Sequence, residues 1–212
     1  MKRLFTAILI LFLAGSAFSK ENINFILSAN EFSGKYDQNV PVGAIKQDVE
    51  LWNGVNLDVS GEYLYFFGNN LAVGFKGGIS FGDVDLQFSN NYGKFLDINY
   101  TAFGWNASPV VGWVWGRNTF KTSLTISPIK INAYYLFKGD DKDYNISYPN
   151  ASSENLVCGF NFAFLWGTGS MTGFQIGCDF PWAGRIKYDN EVLGTGSNFT
   201  NIYIALKICF EK

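Results

Sequence analysis

The sequence predicts an all-β fold: an eight-stranded antiparallel up-and-down transmembrane β-barrel. Three observations predict it. From about residue 24 to 212 nearly every stretch alternates apolar and polar residues, the period-2 signature of a strand with two unlike faces. Eight such stretches are joined by four long polar segments and three tight Gly/Asn turns, in strict alternation, which gives a barrel two unlike ends. Charged residues make up 16% of the chain and aromatics 18%, and the first figure is low against the ~25% usual for a soluble domain. A lipid-facing wall would absorb that excess of apolar surface.

The first strand covers residues 24–30, with Phe25, Leu27 and Ala29 on one face, and a loop is expected over 31–50. Strand two, about 52–67, sets Val55, Leu57, Val59, Tyr63 and Tyr65 against Asn56, Asp58, Ser60 and Glu62. Gly68, Asn69 and Asn70 make a tight turn from residues that tolerate positive φ. Strand three, 71–81, turns Leu71, Val73, Phe75 and Ile79 one way and Ala72, Gly74, Lys76 and Ser80 the other. A polar loop over 82–93 leads to strand four, whose apolar face holds Phe103, Trp105, Ala107, Val111 and Trp113. After a second turn at Gly116, Arg117 and Asn118 comes strand five, 119–137. It slips phase: Phe120, Leu124 and Ile126 are even, whereas Ile129, Ile131 and Tyr135 are odd. Pro128 lies at the slip, and a bulge accounts for both the reversal and the missing N–H. Residues 138–153 read as the most polar loop. Strand six (154–166), a turn near 167–170, strand seven (172–188), a loop (189–198) and strand eight (199–210) complete the set.

Residues 1–19 read as an export signal. Lys2 and Arg3 precede an apolar run over 4–14, and Ala17 and Ser19 occupy the positions a signal peptidase reads. Cleavage after Ser19 leaves 20–212 as one outer-membrane barrel domain. No other run reaches the ~18 apolar residues of a membrane helix. Without Lys2 and Arg3 the net charge is about −4, which argues against nucleic acid as a partner. The chain has no histidine. No Ser-His-Asp or Cys-His set and no His-ligated metal site can form, so no enzyme activity and no cofactor are expected.

Alternation fits a soluble lipocalin-like barrel with its apolar face inward as well as a membrane barrel with it outward. Two features favour the membrane. The polar face is rich in Gly, Ser, Ala and Asn with charges of both signs, as the filling of a narrow lumen would be. Aromatics fall into two groups: Tyr65, Phe67, Trp113, Trp115, Phe120, Phe164, Trp166 and Phe174 near the turns, and Trp52, Tyr100, Tyr135, Phe137, Trp182 and Tyr188 near the loops. Two membrane interfaces would produce such belts.

With that pattern the mature chain resembles the small eight-stranded outer-membrane proteins of the OmpA, OmpX and OmpW kind. Such families end in an apolar-alternating strand with a terminal aromatic, read by the barrel-assembly machinery. Ile204, Leu206, Ile208 and Phe210 look similar, with Glu211 and Lys212 following as a departure. The resemblance implies a bacterial outer-membrane address, contact with outer-membrane lipid, periplasmic turns and external loops.

A first turn centred on Asn69 puts Glu62 opposite Lys76 inside the barrel. The inward set then reads Asp58, Glu62, Lys76, Lys121, Lys130, Asp179, Arg185, Lys187 and Lys207. It is either an ion-pair filling of the lumen or a gate whose exchange of partners admits ions or small solutes. Cys158 and Cys178 share one face of neighbouring strands and form either a cross-strand disulfide or two lipid-facing thiols. Eight strands leave an interior that side chains mostly fill. The expected role is therefore a non-enzymatic surface, structural or adhesion protein, with a host or envelope ligand at loops 31–50 and 138–153. A gated narrow channel is the alternative, and a soluble lipocalin-like binding barrel the third.

Overall fold

A computed structural model of the chain describes residues 21–38, 47–53, 56–67, 70–90, 93–117, 119–141, 147–188, 191–196 and 198–211. The expected export signal lies outside the described residues. The strands are β1 (Glu21–Gln38), β2 (Gln47–Asn53), β3 (Asn56–Phe67), β4 (Leu71–Asn90), β5 (Gly93–Arg117), β6 (Phe120–Asp141), β7 (Ser147–Tyr148), β8 (Ala151–Thr168), β9 (Ser170–Tyr188), β10 (Glu191–Thr195) and β11 (Thr200–Glu211). They assemble as eight antiparallel staves, because β2 continues β3 and β10 continues β11 alongside β1. β1 closes the barrel: Asn22 to Ser33 pair with β11 on one side, and Glu21 to Asn30 with β3 on the other. Among the described residues, closure leaves no free sheet edge along the eight staves.

The three tight ends are as expected. Phe67 pairs with Leu71, Arg117 with Phe120 and Thr168 with Ser170. The last turn centres on Gly169, whose φ of 84° suits a residue without a Cβ. The bulge at Pro128 is also present, since the β6–β8 register jumps from Ser127 opposite Gly159 to Lys130 opposite Val157. A second bulge was not foreseen. On β9 the register passes from Pro181 opposite Val157 to Ala183 opposite Leu156, leaving Trp182 unopposed. One extra residue reverses the faces of everything beyond it.

The four long loops are much shorter than expected. Most of residues 31–50, 82–93 and 138–153, and half of 189–198, continue the staves as strand. β5 alone has 25 residues, about 80 Å at ~3.3 Å per residue. The wall therefore runs far past any bilayer. Its chemistry changes along the way. On β4 the outward residues are Phe75, Ile79 and Phe81 and then Asp83 and Asp85, while the inward ones are Lys76 and Ser80 and then Val84, Leu86 and Phe88. β1 does the same, passing from Leu27 out and Ser28 in to Glu31 out and Phe32 in. The turn-end half is apolar outside and polar inside; the loop-end half is the reverse, like a soluble barrel. On β3 the apolar belt runs from Leu57 to Phe67, about 33 Å of strand and about 25 Å of height at a tilt of ~40°, the height of a membrane-barrel girdle. Within the belt Ile204 is 64% exposed and Phe75 55%. Such outward burdens of apolar surface rule out the lipocalin arrangement for this half.

Candidate functional site: a layered lumen

The inward face of the belt half is a buried polar layer. β3 supplies Asp58 and Glu62, β4 Lys76, β6 Lys130, β9 Asp179 and β11 Lys207, all of them buried. Three carboxylates thus meet three ammonium groups. Lys207 Nζ lies 2.6 Å from Glu62 Oε1, and Lys130 Nζ 2.7 Å from Asp179 Oδ2. Asn24 donates a further bond to Glu62 at 2.8 Å, and Asn201 to Asp179 at 3.0 Å. Buried charges are tolerable only when paired and hydrogen-bonded in this way. Glu62 is opposite Lys76 in register, as expected, but its bonded cation is Lys207.

Tyr203 sits between the two ion pairs. Lys76 donates to its hydroxyl at 3.3 Å, and Lys76 and Lys130 both lie over its ring, 5.1 and 5.7 Å from the centroid. Cation–π attraction holds a charge against an aromatic face in this range. Room for the ring comes from Gly177, where a Cβ would lie 2.3 Å from Tyr203. Asp58 lies beside Asn30 and Ser80, with Lys130 and Lys76 the nearest cations.

Apolar layers cap the polar one at both ends. At the turn end Leu64, Phe66, Ala72, Val110 and Val114 form one cluster, and Leu165, Met171 and Cys209 another. At the loop end Phe32, Tyr36, Tyr100, Tyr134, Phe199 and their neighbours form the largest core among the described residues. Phe32 stacks on Tyr134 at 4.4 Å. Tyr36 donates to Asn155 Oδ1 at 2.8 Å and meets Ser153 Oγ at 2.7 Å. Burial pushes its hydroxyl up to about 12 despite those two bonds.

Several expected positions need correction. Arg185 and Lys187 do not face the lumen. The bulge at Trp182 turns them outward, where both bond Glu154: Arg185 through Nε at 2.7 Å and through its Nη2, Lys187 at 3.2 Å. The Arg185 bonds hold the Glu154 carboxyl below its ordinary range. Lys121 lies at the turn-end mouth, paired with Glu211 rather than with the central charges. Tyr100 belongs to the interior and not to a belt, because it shares the even face of β5 with Gly104 and Asn106. Tyr188 likewise packs on Phe88 and the loop-end core. Cys158 and Cys178 are free; each is opposite a phenylalanine, Phe180 and Phe160, so the two thiols are diagonal neighbours. Phe210 ends the apolar row of β11, exposed and edge-on to Phe25. Sequence reasoning missed Tyr203, Asn24 and Asn201, and the whole loop-end core. The signal for that core was present: Val84, Leu86 and Phe88 alternate with Asp83, Asp85 and Gln87 inside the supposed loop.

No protein-family model matches the chain, and no curated protein matches it in sequence. Solved structures do match in shape. The outer membrane protein OprG from Pseudomonas aeruginosa superposes with a TM-score of 0.51 at 8% identity, over 92% of this chain and 95% of that one. The fold is that of a small outer-membrane β-barrel. Two others align over most of their length. The attachment invasion locus protein Ail of Yersinia pestis, in complex with the heparin analogue sucrose octasulfate, gives 0.47 at 8% identity, covering 92% and 99% of the two chains. The outer membrane protease OmpT from Escherichia coli gives 0.47 at 9%, covering 91% and 97%. At such identities the likeness concerns shape, and the residues must speak for function.

Proposed function

We propose that the chain is a non-enzymatic barrel of the bacterial outer membrane that passes no solute and acts through the wall it holds above the membrane. Export through a signal cleaved after Ser19 and assembly through the Phe210 strand belong to the same reading. The observation that carries it is the stacked closure of the lumen: apolar cluster, neutral charge layer, apolar core. An ion crossing this axis would have to displace two paired lysines and then a stack of aromatic rings. The core also makes the loop-end half a rigid platform. A host or envelope ligand would therefore meet paired strand over most of 31–50 and 138–153, a preformed surface that costs little ordering on binding.

A second reading survives on one observation. Glu62 faces two ammonium groups, Lys207 bonded and Lys76 across the β3–β4 ladder, so an exchange of partners is available to a gated narrow channel. Single-channel recording on the full mature chain in planar bilayers separates the two. The proposal expects a silent bilayer at both polarities. Reproducible conductance steps that disappear in Glu62→Gln would establish the gate instead.

A further inference from the structure

On the outer wall of β6, β8 and β9 the belt does not fade into the acidic surface found elsewhere. Three outward rows succeed one another across these staves. The lowest is apolar, with Ile131 opposite Leu156 and Leu156 opposite Ala183. The next carries Glu154 opposite Arg185. Above it Tyr135 is opposite Ser152 and Ser152 opposite Lys187. A groove of about 340 Å³ opens between the first two rows, bordered by Ile131, Leu156, Ala183, Gly184, Arg185 and Thr195 among others. Trp182, 60% exposed at the bulge, stands beside it. The bulge makes this arrangement, because it both bends the wall and swings Arg185 and Lys187 out of the barrel.

We infer that this groove is a binding site for one anionic, phosphate-bearing lipid, its acyl chain against Ile131, Leu156 and Ala183 and its phosphate on Arg185 and Lys187. The inference rests on the membrane reading above. Three observations point to that occupant. The groove spans the level at which the wall changes from apolar to charged, which is where a lipid changes from chain to headgroup. A guanidinium presents a planar fork of donors to phosphate oxygens, and an ammonium on the next row adds a second charge. Beyond the belt the outward residues of β4 include Asp83 and Asp85, and on β1 and β2 Glu31 stands near the Lys35–Glu50 pair, so the net charge there is negative and an anion is drawn to the β9 side. Glu154 is the built-in competitor. It bonds both cations, and its single charge leaves the trio with a net positive charge for a phosphate.

The test is native mass spectrometry of the full mature chain released from micelles containing equal phosphatidylcholine and phosphatidylglycerol. Wild type should retain one phosphatidylglycerol in preference to phosphatidylcholine, and millimolar inorganic phosphate should not displace it. The double variant R185Q/K187Q should lose that preference by roughly five-fold or more, about the worth of one exposed charge contact. Glu154→Gln should strengthen it. Equal retention of the two lipids by wild type, or an unchanged preference in R185Q/K187Q, overturns the site. Displacement by phosphate alone would mark an anion site without lipid and overturn it equally. Each protein is first run boiled and unboiled on a gel after membrane fractionation. A heat-insensitive, soluble wild type refutes the membrane reading itself, and a folded, membrane-bound variant keeps the lipid result interpretable.

Discussion

Tyr203 shows how single residues set the character of the lumen. Its ring is an apolar body with one polar tip, and it separates two ion pairs that would otherwise share counter-ions. Breaking one pair should be costly. Lys207→Met leaves the Glu62 carboxylate buried without its cation, and such a loss costs about 3–5 kcal/mol. Chemical unfolding in detergent measures it, and the double change Glu62→Gln with Lys207→Met should recover most of the loss. A Lys207→Met barrel as stable as wild type would mean that Lys76 takes over Glu62 or that water reaches it, and that the Lys207 bond is not what holds the carboxylate. Gly177→Leu tests the room that Tyr203 needs. A side chain there meets the ring, and overpacking of this kind costs about 1–3 kcal/mol. On the outer wall Glu154 should give a pH signature. Its folded-state pKa lies below the ordinary carboxylate value. Its stabilising contribution is therefore present above that ordinary value and fades as pH falls through the depressed one. Wild type should unfold at a higher temperature than Glu154→Gln at neutral pH, and the gap should close in acid. A gap that widens in acid would contradict the assignment.

At the scale of strands, the bulges at Pro128 and Trp182 decide which side of the wall the charged residues beyond them face. Pro128 announced its bulge in the sequence, because the apolar residues changed parity around a residue that cannot donate. Trp182 gave no comparable signal. Phe180, Trp182, Ile186 and Tyr188 keep one parity straight through the bulge, because the reversal of faces coincides with the reversal of chemistry. Apolar residues leave the outside and enter the core in the same step. The same coincidence hid the loop-end strands. Polar residues such as Asp83 and Asp85 looked like loop, when they are the outer face of a strand whose inner face has become apolar. The belt half was legible because membrane and polar lumen impose one fixed alternation; the half beyond it was not, because alternation there carries no sign. Lys130 and Asp179 were placed correctly for this reason, and Arg185 and Lys187 were not. Deleting Trp182 should join Pro181 to Ala183 in an unbroken ladder and leave Arg185 and Lys187 outward, opposite Glu154 and Ser152 as before. Such a chain should still give the heat-sensitive compact band of a folded barrel. Loss of that band would show that Trp182 does more than take up the extra residue of the bulge.

At the scale of the molecule, one barrel serves two solvents. Its turn-end half is built for lipid and its loop-end half for water, and the change occurs within continuous staves. This explains why the strands are so long and why the interior needs three layers. Cysteine labelling with a membrane-impermeant maleimide on whole cells examines it directly, in a chain whose native Cys158, Cys178 and Cys209 are replaced by serine. Phe75 and Asp85 both lie on the outer wall of β4, one in the belt and one beyond it. Asp85→Cys should label within minutes on intact cells, and Phe75→Cys should stay unlabelled until detergent is added and the protein unfolded. Equal labelling of the two on intact cells would contradict a lipid-covered belt and, with it, the account of a barrel divided between membrane and water.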